Sequence, residues 1–300
     1  MRVVELSGGV GGARLGRGLA MLDGLDLTFV VNVGDDEEIH GLAVSPDLDT
    51  MIYTLAGVEG PEGWGREGDT FRFNDELARF GMDNVFRLGD FDLALHVFRT
   101  ARLDEGFSLS TVTAEISDAF GIGARVLPVT DDRLRTVVGT ADGEWISFQD
   151  YFVGRQARDT VVSLRFEGSE DAKPAPGVID AISECDLLVI GPSNPPLSIW
   201  PILTVPGVRD AIADHPRVVA VSPLIGGRAV KGPADRVMAS LGLPPGNRGV
   251  VAAYEGLLSR LVIDAGDDVE ELDGIEVLST PTLIRKPEQA RRLAAEIVDW

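Results

Sequence analysis

Two glycine-rich turns and a cluster of acids hold most of the chemistry this sequence could perform. Ser7-Gly8-Gly9-Val10-Gly11-Gly12 follows a short apolar run and precedes a helical pattern. Glycines at 8, 9, 11 and 12 let a backbone approach a ligand, and the start of a helix adds partial positive charge. That suits a phosphate, with a tight structural turn as the alternative. No Lys-Ser or Lys-Thr follows, so this is not a GxxxxGK[ST] phosphate loop. Gly9-x-Gly11 fits half of a dinucleotide fingerprint, whose third glycine position is occupied by Arg14.

The acids come next. Asn32-Val33-Gly34-Asp35-Asp36 is followed by Glu37, Glu38 and His40, and then by Ser45-Pro46-Asp47-Leu48-Asp49-Thr50. Carboxylates beside a phosphate repel it unless a hard cation intervenes, and Mg²⁺ pairs one or two carboxylates with substrate phosphates. Solvated acids, with Asp49 in the first turn of a helix, explain the same residues without a ligand. His96 stands four residues after Asp92, on the same helical side, where a substrate contact and a buried structural role are both open. His40 and His215 offer no zinc spacing, and Cys185, next to an apolar run, reads as packing.

Two later loops add neutral and basic groups. Gly191-Pro192-Ser193-Asn194-Pro195 follows the run Leu187–Ile190 and offers a hydroxyl and an amide at a strand end. Ser222-Pro223-Leu224-Ile225-Gly226-Gly227 leads to Lys231, a counter-charge for phosphate or simply an exposed lysine. Trp64, Phe71, Phe73, Phe86, Trp145, Tyr151 and Phe152 lie in the middle of the chain and could floor a flat heterocycle or form core.

The elements that must position these groups follow from periodicity. Val3–Leu6, a helix from about Ala13 to Leu22, and the β-branched run Leu27–Val31 open a doubly wound α/β domain. Leu187–Ile190, Val218–Val221, Leu261–Asp264 and Ile275–Leu278 read as further buried strands, and Pro287–Val298 as a closing helix. The expected fold is therefore α/β, a Rossmann-like, doubly wound and mostly parallel sheet. It is built from residues 1–64 and 171–300, with 65–170 inserted as a smaller α+β layer. Asp92–Leu103 and Leu109–Ala119 are the helices of that layer, and residues 124–166 supply its short strands.

Composition narrows the classes. The 300 residues hold 27 Lys and Arg against 48 Asp and Glu, a net charge of −21. Such a charge repels nucleic acid. A single cysteine excludes an internal disulfide. No apolar run approaches the ~20 residues of a membrane helix, and the N-terminus does not read as a signal peptide. A cytoplasmic protein without membrane insertion is expected.

Taken in order, these segments resemble the 2-phospho-L-lactate transferase family of coenzyme F(420) biosynthesis, which includes phosphoenolpyruvate-transferring enzymes. The likeness spans the chain through Ser7–Ala13, Asn32–Asp36, Ser45–Thr50, Arg87-Leu88-Gly89-Asp90, Gly191–Pro195, Ser222–Gly227 and Lys231-Gly232-Pro233-Ala234. It implies a Mg²⁺-dependent, homodimeric enzyme that moves a 2-phospholactyl or enolpyruvyl-phosphate unit from a guanosine-diphosphate-activated donor. The acceptor is the terminal hydroxyl of the deazaflavin Fo, and GMP is released.

Asp49 is then the first expected metal ligand, with Asp35 or Asp36 as second ligand or as the group that orients the hydroxyl. Gly8, Gly9, Gly11, Gly12 and Lys231 hold the diphosphate, Ser193 and Asn194 meet the nucleoside, and Asn32, Asp47 and His96 face the acceptor. The choice of lactyl or enolpyruvyl donor stays open. So do two other classes, a non-catalytic nucleotide-sugar-binding regulator of the same fold and a dinucleotide-dependent oxidoreductase.

Overall fold

The structure, a computed structural model, describes residues 1–82, 85–268, 272 and 274–300. Seven parallel strands form its centre: β1 (Arg2–Ser7), β2 (Asp26–Val31), β3 (Arg125–Pro128), β4 (Leu187–Ile190), β5 (Val218–Val221), β6 (Arg260–Ile263) and β7 (Glu276–Ser279). They lie in the order β7-β6-β5-β4-β1-β2-β3. Every residue of β4 and β5 is buried, which is why these runs are continuously apolar rather than alternating. The outermost strands carry the exposed residues Arg125, Glu276 and Ser279.

From β1 the chain winds outward to β2 and β3, then returns to β4 on the other side and continues to β7. Strand order thus reverses between β1 and β4, and ligands of open α/β sheets bind beyond such a reversal. Val3 pairs with Leu187 and Leu6 with Ile190, so the turns after Ser7 and Ile190 leave the sheet side by side.

Five longer helices surround the sheet: α1 (Gly9–Ala20), α2 (Pro46–Ala56), α3 (Asp90–Asp104), α4 (Leu109–Ala119) and α5 (Pro287–Asp299). Helix α1 buries Ala13, Leu15 and Leu19 and packs between α2 and α5. It begins at Gly9, four residues before the expected start. Glycine's low helix propensity hides this turn in the sequence, whereas packing against the loop after β4 imposes it. Pro46 opens α2, and Gly57, at φ 69°, closes it in the left-handed conformation.

The stretch 65–170 is not one continuous insertion. Arg125–Pro128 lies within it and completes the main sheet as β3, while α3 and α4 bury Leu95, Val112 and Ile116 in the main core. The separate layer is an antiparallel sheet of Arg135–Thr140 flanked by Trp145–Ser147 and Val161–Glu167. Its small core joins Val138, Tyr151 and Val161 to Leu197 and Val237. Two bonds hook it to the acid loop: Thr136 N donates to Gly34 O at 2.6 Å, and Gln149 Nε2 to Asp35 O at 2.6 Å. Among the described residues, no helix is long and apolar enough to cross a membrane.

Candidate active site

A cleft of about 690 Å³ opens where β1 and β4 diverge. Gly8, Gly9 and Gly11 line it on one side, Ser193, Asn194 and Ser198 on another, and Asp35 and Asp47 form its acidic wall. Lys231 lies at its rim with Gly232 and Pro233. The strand ends have therefore gathered segments some 220 residues apart in sequence (from Gly8 to Lys231) around one space.

Asn32 joins the two acids of the wall. Its Nδ2 donates to Asp47 Oδ2 at 2.9 Å and to Asp35 Oδ1 at 3.3 Å, while its Oδ1 accepts from Gly34 N at 2.8 Å. Asp35 and Asp47 are both buried. Burial, reinforced by the Asp47 charge, holds the Asp35 carboxyl well above the usual carboxylate range. Burial likewise pushes Asp47 up to about 6, against the hydrogen bonds from Asn32 and Gly9. Ionising both carboxyls together is therefore disfavoured at this low dielectric, and a cation would relieve that cost.

Asp36 and Asp49 lie behind this wall rather than on it. Asp36 accepts from Ser45 Oγ at 2.8 Å, and burial pushes its carboxyl up to about 7. Asp49 forms a two-pronged ion pair with the fully buried Arg99. His96 is buried beside them, 3.7 Å from Asp49 Oδ2 and 3.3 Å from Asp92 Oδ2, and Tyr53 donates its hydroxyl to Asp92 at 2.5 Å. Asp49, Asp92 and His96 bring ligand atoms within 4.8 Å of one another, yet Arg99 already neutralises Asp49 there. Neither Asp49, expected first among metal ligands, nor His96, expected to face the acceptor, lines the cleft.

The glycine turn is also committed differently from its sequence reading. Gly8 N donates to Ser193 Oγ at 3.2 Å, and Gly9 N to Asp47 Oδ1 at 2.6 Å. Two amides expected to meet phosphate instead fasten the β4 loop and the acid wall. Gly9 has φ 69°, which favours glycine, and a Cβ on Gly11 would overlap the Pro192 carbonyl. Gly12 is buried against Ser7 and Ser193 and does not line the cleft. Asn194 lines it while its Oδ1 caps the following turn from Leu197 N at 3.3 Å.

Several lining residues escaped the sequence reading. Arg14, read only as a missing glycine, lines the cleft one turn beyond Gly11, and Arg87, given no site role within Arg87-Leu88-Gly89-Asp90, lines it as well. Phe148 joins Trp64, Phe71, Phe86 and Phe152 in an aromatic wall, and its ring stacks on Phe152 at 5.4 Å. Trp145 stacks with Arg165 instead, and Tyr151 is core of the small layer. The i, i+3 spacing of Gly11 and Arg14 was the available signal for Arg14, since helix neighbours at that spacing share a face.

Residues 3–275 match the family described as 2-phospho-L-lactate transferase CofD. The chain is 43% identical to the 2-phospho-L-lactate transferase of Methanopyrus kandleri, covering 99% of this chain and 97% of that one. It is 40% identical to the phosphoenolpyruvate transferase of Thermobifida fusca over 100% and 97% of the two chains. A crystal structure of a UPF0052 family member from Bacillus halodurans superposes with a TM-score of 0.69 at 17% identity, covering 99% and 98%, and shares the fold. With a family match over nearly its whole length and relatives near 40% identity, the chain belongs to the 2-phospho-L-lactate transferase CofD family.

Proposed function

We propose that this protein moves a 2-phospholactyl or enolpyruvyl-phosphate unit from a guanosine-diphosphate-activated donor to the terminal hydroxyl of Fo, releasing GMP, in coenzyme F(420) biosynthesis. One observation carries the reading: a single cleft joins a carboxylate pair, polar strand-end loops and an aromatic wall. Nucleotide phosphates suit the first two, and a flat ring suits the third.

The donor set fits Mg²⁺. Asp35, in the turn after β2, and Asp47, in the first turn of α2, offer hard oxygens, both carboxylates are buried at the cleft wall, and Asn32 holds them together. We assign the cation to this pair, since Asp49 is engaged by Arg99. Bound there, Mg²⁺ would supply charge neutralisation for phosphate oxygens.

In the transfer, the acceptor oxygen bonds to the phosphorus bearing the three-carbon acid as the bond to the GMP oxygen breaks. The proton of the hydroxyl leaves to a base, for which the wall carboxylates are the acidic side chains at hand. The chain's own residues hold and orient: Lys231 serves the donor phosphates, Ser193 and Asn194 the nucleoside, and the aromatic wall the deazaflavin ring. Orientation of two bound reactants by itself contributes much of the barrier reduction in such displacements.

Incubation with Fo, Mg²⁺ and each guanylylated three-carbon acid, followed by mass analysis, tests this. The expected product is a phosphodiester of Fo with one or both donors, together with GMP. Unchanged Fo with both donors would reject the proposal.

A further inference from the structure

Helix α3 (Asp90–Asp104) is built inside out. Its buried side carries His96 and Arg99 beside Leu95, whereas every exposed residue between positions 91 and 101 is apolar: Phe91, Ala94, Val97, Phe98 and Ala101. Phe91, Val97 and Phe98 are 53%, 50% and 41% exposed. Surface helices ordinarily turn their polar side outward. In a chain of net charge −21, a contiguous uncharged stripe of this kind marks a contact face.

The stripe also has a pattern. Phe91, Ala94, Phe98 and Ala101 alternate large and small at spacings of three, four and three, the seam of a helix pair. With about 3.6 residues per turn, the four lie within about 80° of one another around the axis. Laid antiparallel on itself about a two-fold axis at position 96, the stripe sets Phe91 opposite Ala101 and Ala94 opposite Phe98. Each ring then meets an alanine, and no charge on the seam is stripped of water. A parallel pairing sets ring on ring and alanine on alanine, which leaves voids.

We infer that two copies of this chain meet along α3, antiparallel, with Phe91 of one packed on the partner's Ala101 and Ala94 on the partner's Phe98. The family resemblance implies a homodimer and assigns it no face; the α3 contact rests on the stripe alone. Such a face is isologous, so one surface serves both copies and the assembly closes at two. It also backs the candidate active site. Arg99, on the inner side of the same helix, holds Asp49 and donates to the Ala43 carbonyl at 3.3 Å. A partner helix laid over the outer side therefore braces the buried pair behind the acid wall.

The test uses the full chain with Cys185→Ser, so that introduced thiols are the only ones. Differently tagged Phe91→Cys and Ala101→Cys chains are co-expressed, oxidised and resolved without reductant, while sedimentation reports the mass of each protein. Wild type should sediment as a dimer, and the mixed pair should cross-link at least about tenfold more than either variant with itself. In the antiparallel register two copies of position 91 lie about 15 Å apart along the axis, beyond the ~7 Å between Cα atoms that a disulfide spans. Ala94→Glu puts a carboxylate against the partner's Phe98 and should give a folded monomer, with the melting temperature as fold control. Ala94→Ser, small and neutral, should stay dimeric. A wild-type monomer, a dimer that survives Ala94→Glu, or Phe91→Cys cross-linked chiefly to itself would each overturn the contact. If Ala94→Glu does not fold, the cross-linking preference decides. No transfer is measured, so the result is read independently of the transferase assay.

Discussion

The backbone amide of Gly9 donates to the Asp47 carboxylate at 2.6 Å, tying the first glycine turn to the acidic wall of the cleft. The bond joins the N-terminus of α1, where partial positive charge collects, to a buried carboxylate that needs it. Asp47 in turn shares Asn32 with Asp35. The three segments that end at the cleft floor thus form one hydrogen-bonded unit, and displacement of any member disturbs the others.

Asn32→Ala should expose this unit. It removes the donor to both carboxylates and the acceptor for Gly34 N, so about 1–3 kcal/mol of stability should be lost. Asn32→Asp should destabilise further without metal, because a third carboxylate joins two that already repel. Denaturation with urea, with and without Mg²⁺, checks this. Mg²⁺ should restore more stability to Asn32→Asp than to Asn32→Ala, and equal responses would separate Asn32 from the cation site.

Asp49 should prove structural. Reading carboxylate spacing alone, one expects Asp49→Asn to cost activity and spare the fold. Its pairing with the fully buried Arg99 reverses that expectation: breaking a buried pair from one side costs about 3–5 kcal/mol. The double substitution Asp49→Leu with Arg99→Met should cost clearly less than the sum of the singles, as measured by urea midpoints. Full additivity would show that the two residues do not act as a pair.

Glu5 should make stability depend on pH. It sits in the middle of β1, both carboxylate oxygens lack a hydrogen-bond partner among the described residues, and burial keeps the carboxyl protonated well above the usual range. The folded state therefore holds this proton more tightly than the unfolded state does. Its contribution is complete below the ordinary glutamate pKa of about 4.3 and declines as pH rises above it. Glu5→Gln removes the decline, so its melting temperature should gain on wild type steadily between about pH 5 and pH 8. Other carboxylates titrate equally in both proteins, and a constant gap would refute the assignment to Glu5.

The aromatic wall should separate acceptor from donor. Phe152→Ala removes one ring of the stacked Phe148–Phe152 pair and should weaken Fo several-fold while leaving GDP affinity nearly unchanged. Fo binding should also respond less to salt than GDP binding, because apolar contact is not screened. Fluorescence titrations of both ligands over a salt series provide the comparison. Equal salt slopes would argue against this division of the cleft.

The sequence by itself determined the frame of the molecule. Apolar runs at Leu187–Ile190 and Val218–Val221, and the helical periods of Leu109–Ala119 and Pro287–Asp299, report local preferences that burial then satisfied. The order of loops also placed the glycine turn and the acids at strand ends, where the cleft formed. Tertiary structure decided which of those residues face it. Asp47 and Asp49 are two positions apart on α2, about 200° around the helix axis, so one can meet the cleft only if the other turns away. Packing chose Asp47, because Arg99, fifty residues distant on α3, was there to receive Asp49. The strand Arg125–Pro128 was similarly hidden, since four residues carry too short a period to announce a sheet edge, and its partner β2 lies almost a hundred residues earlier. Arg14 shares a helix face with Gly11 by its spacing, and packing of α1 turned that face into the cleft. Periodicity along the chain encodes which face is buried, whereas the partner across a contact is set by three-dimensional packing.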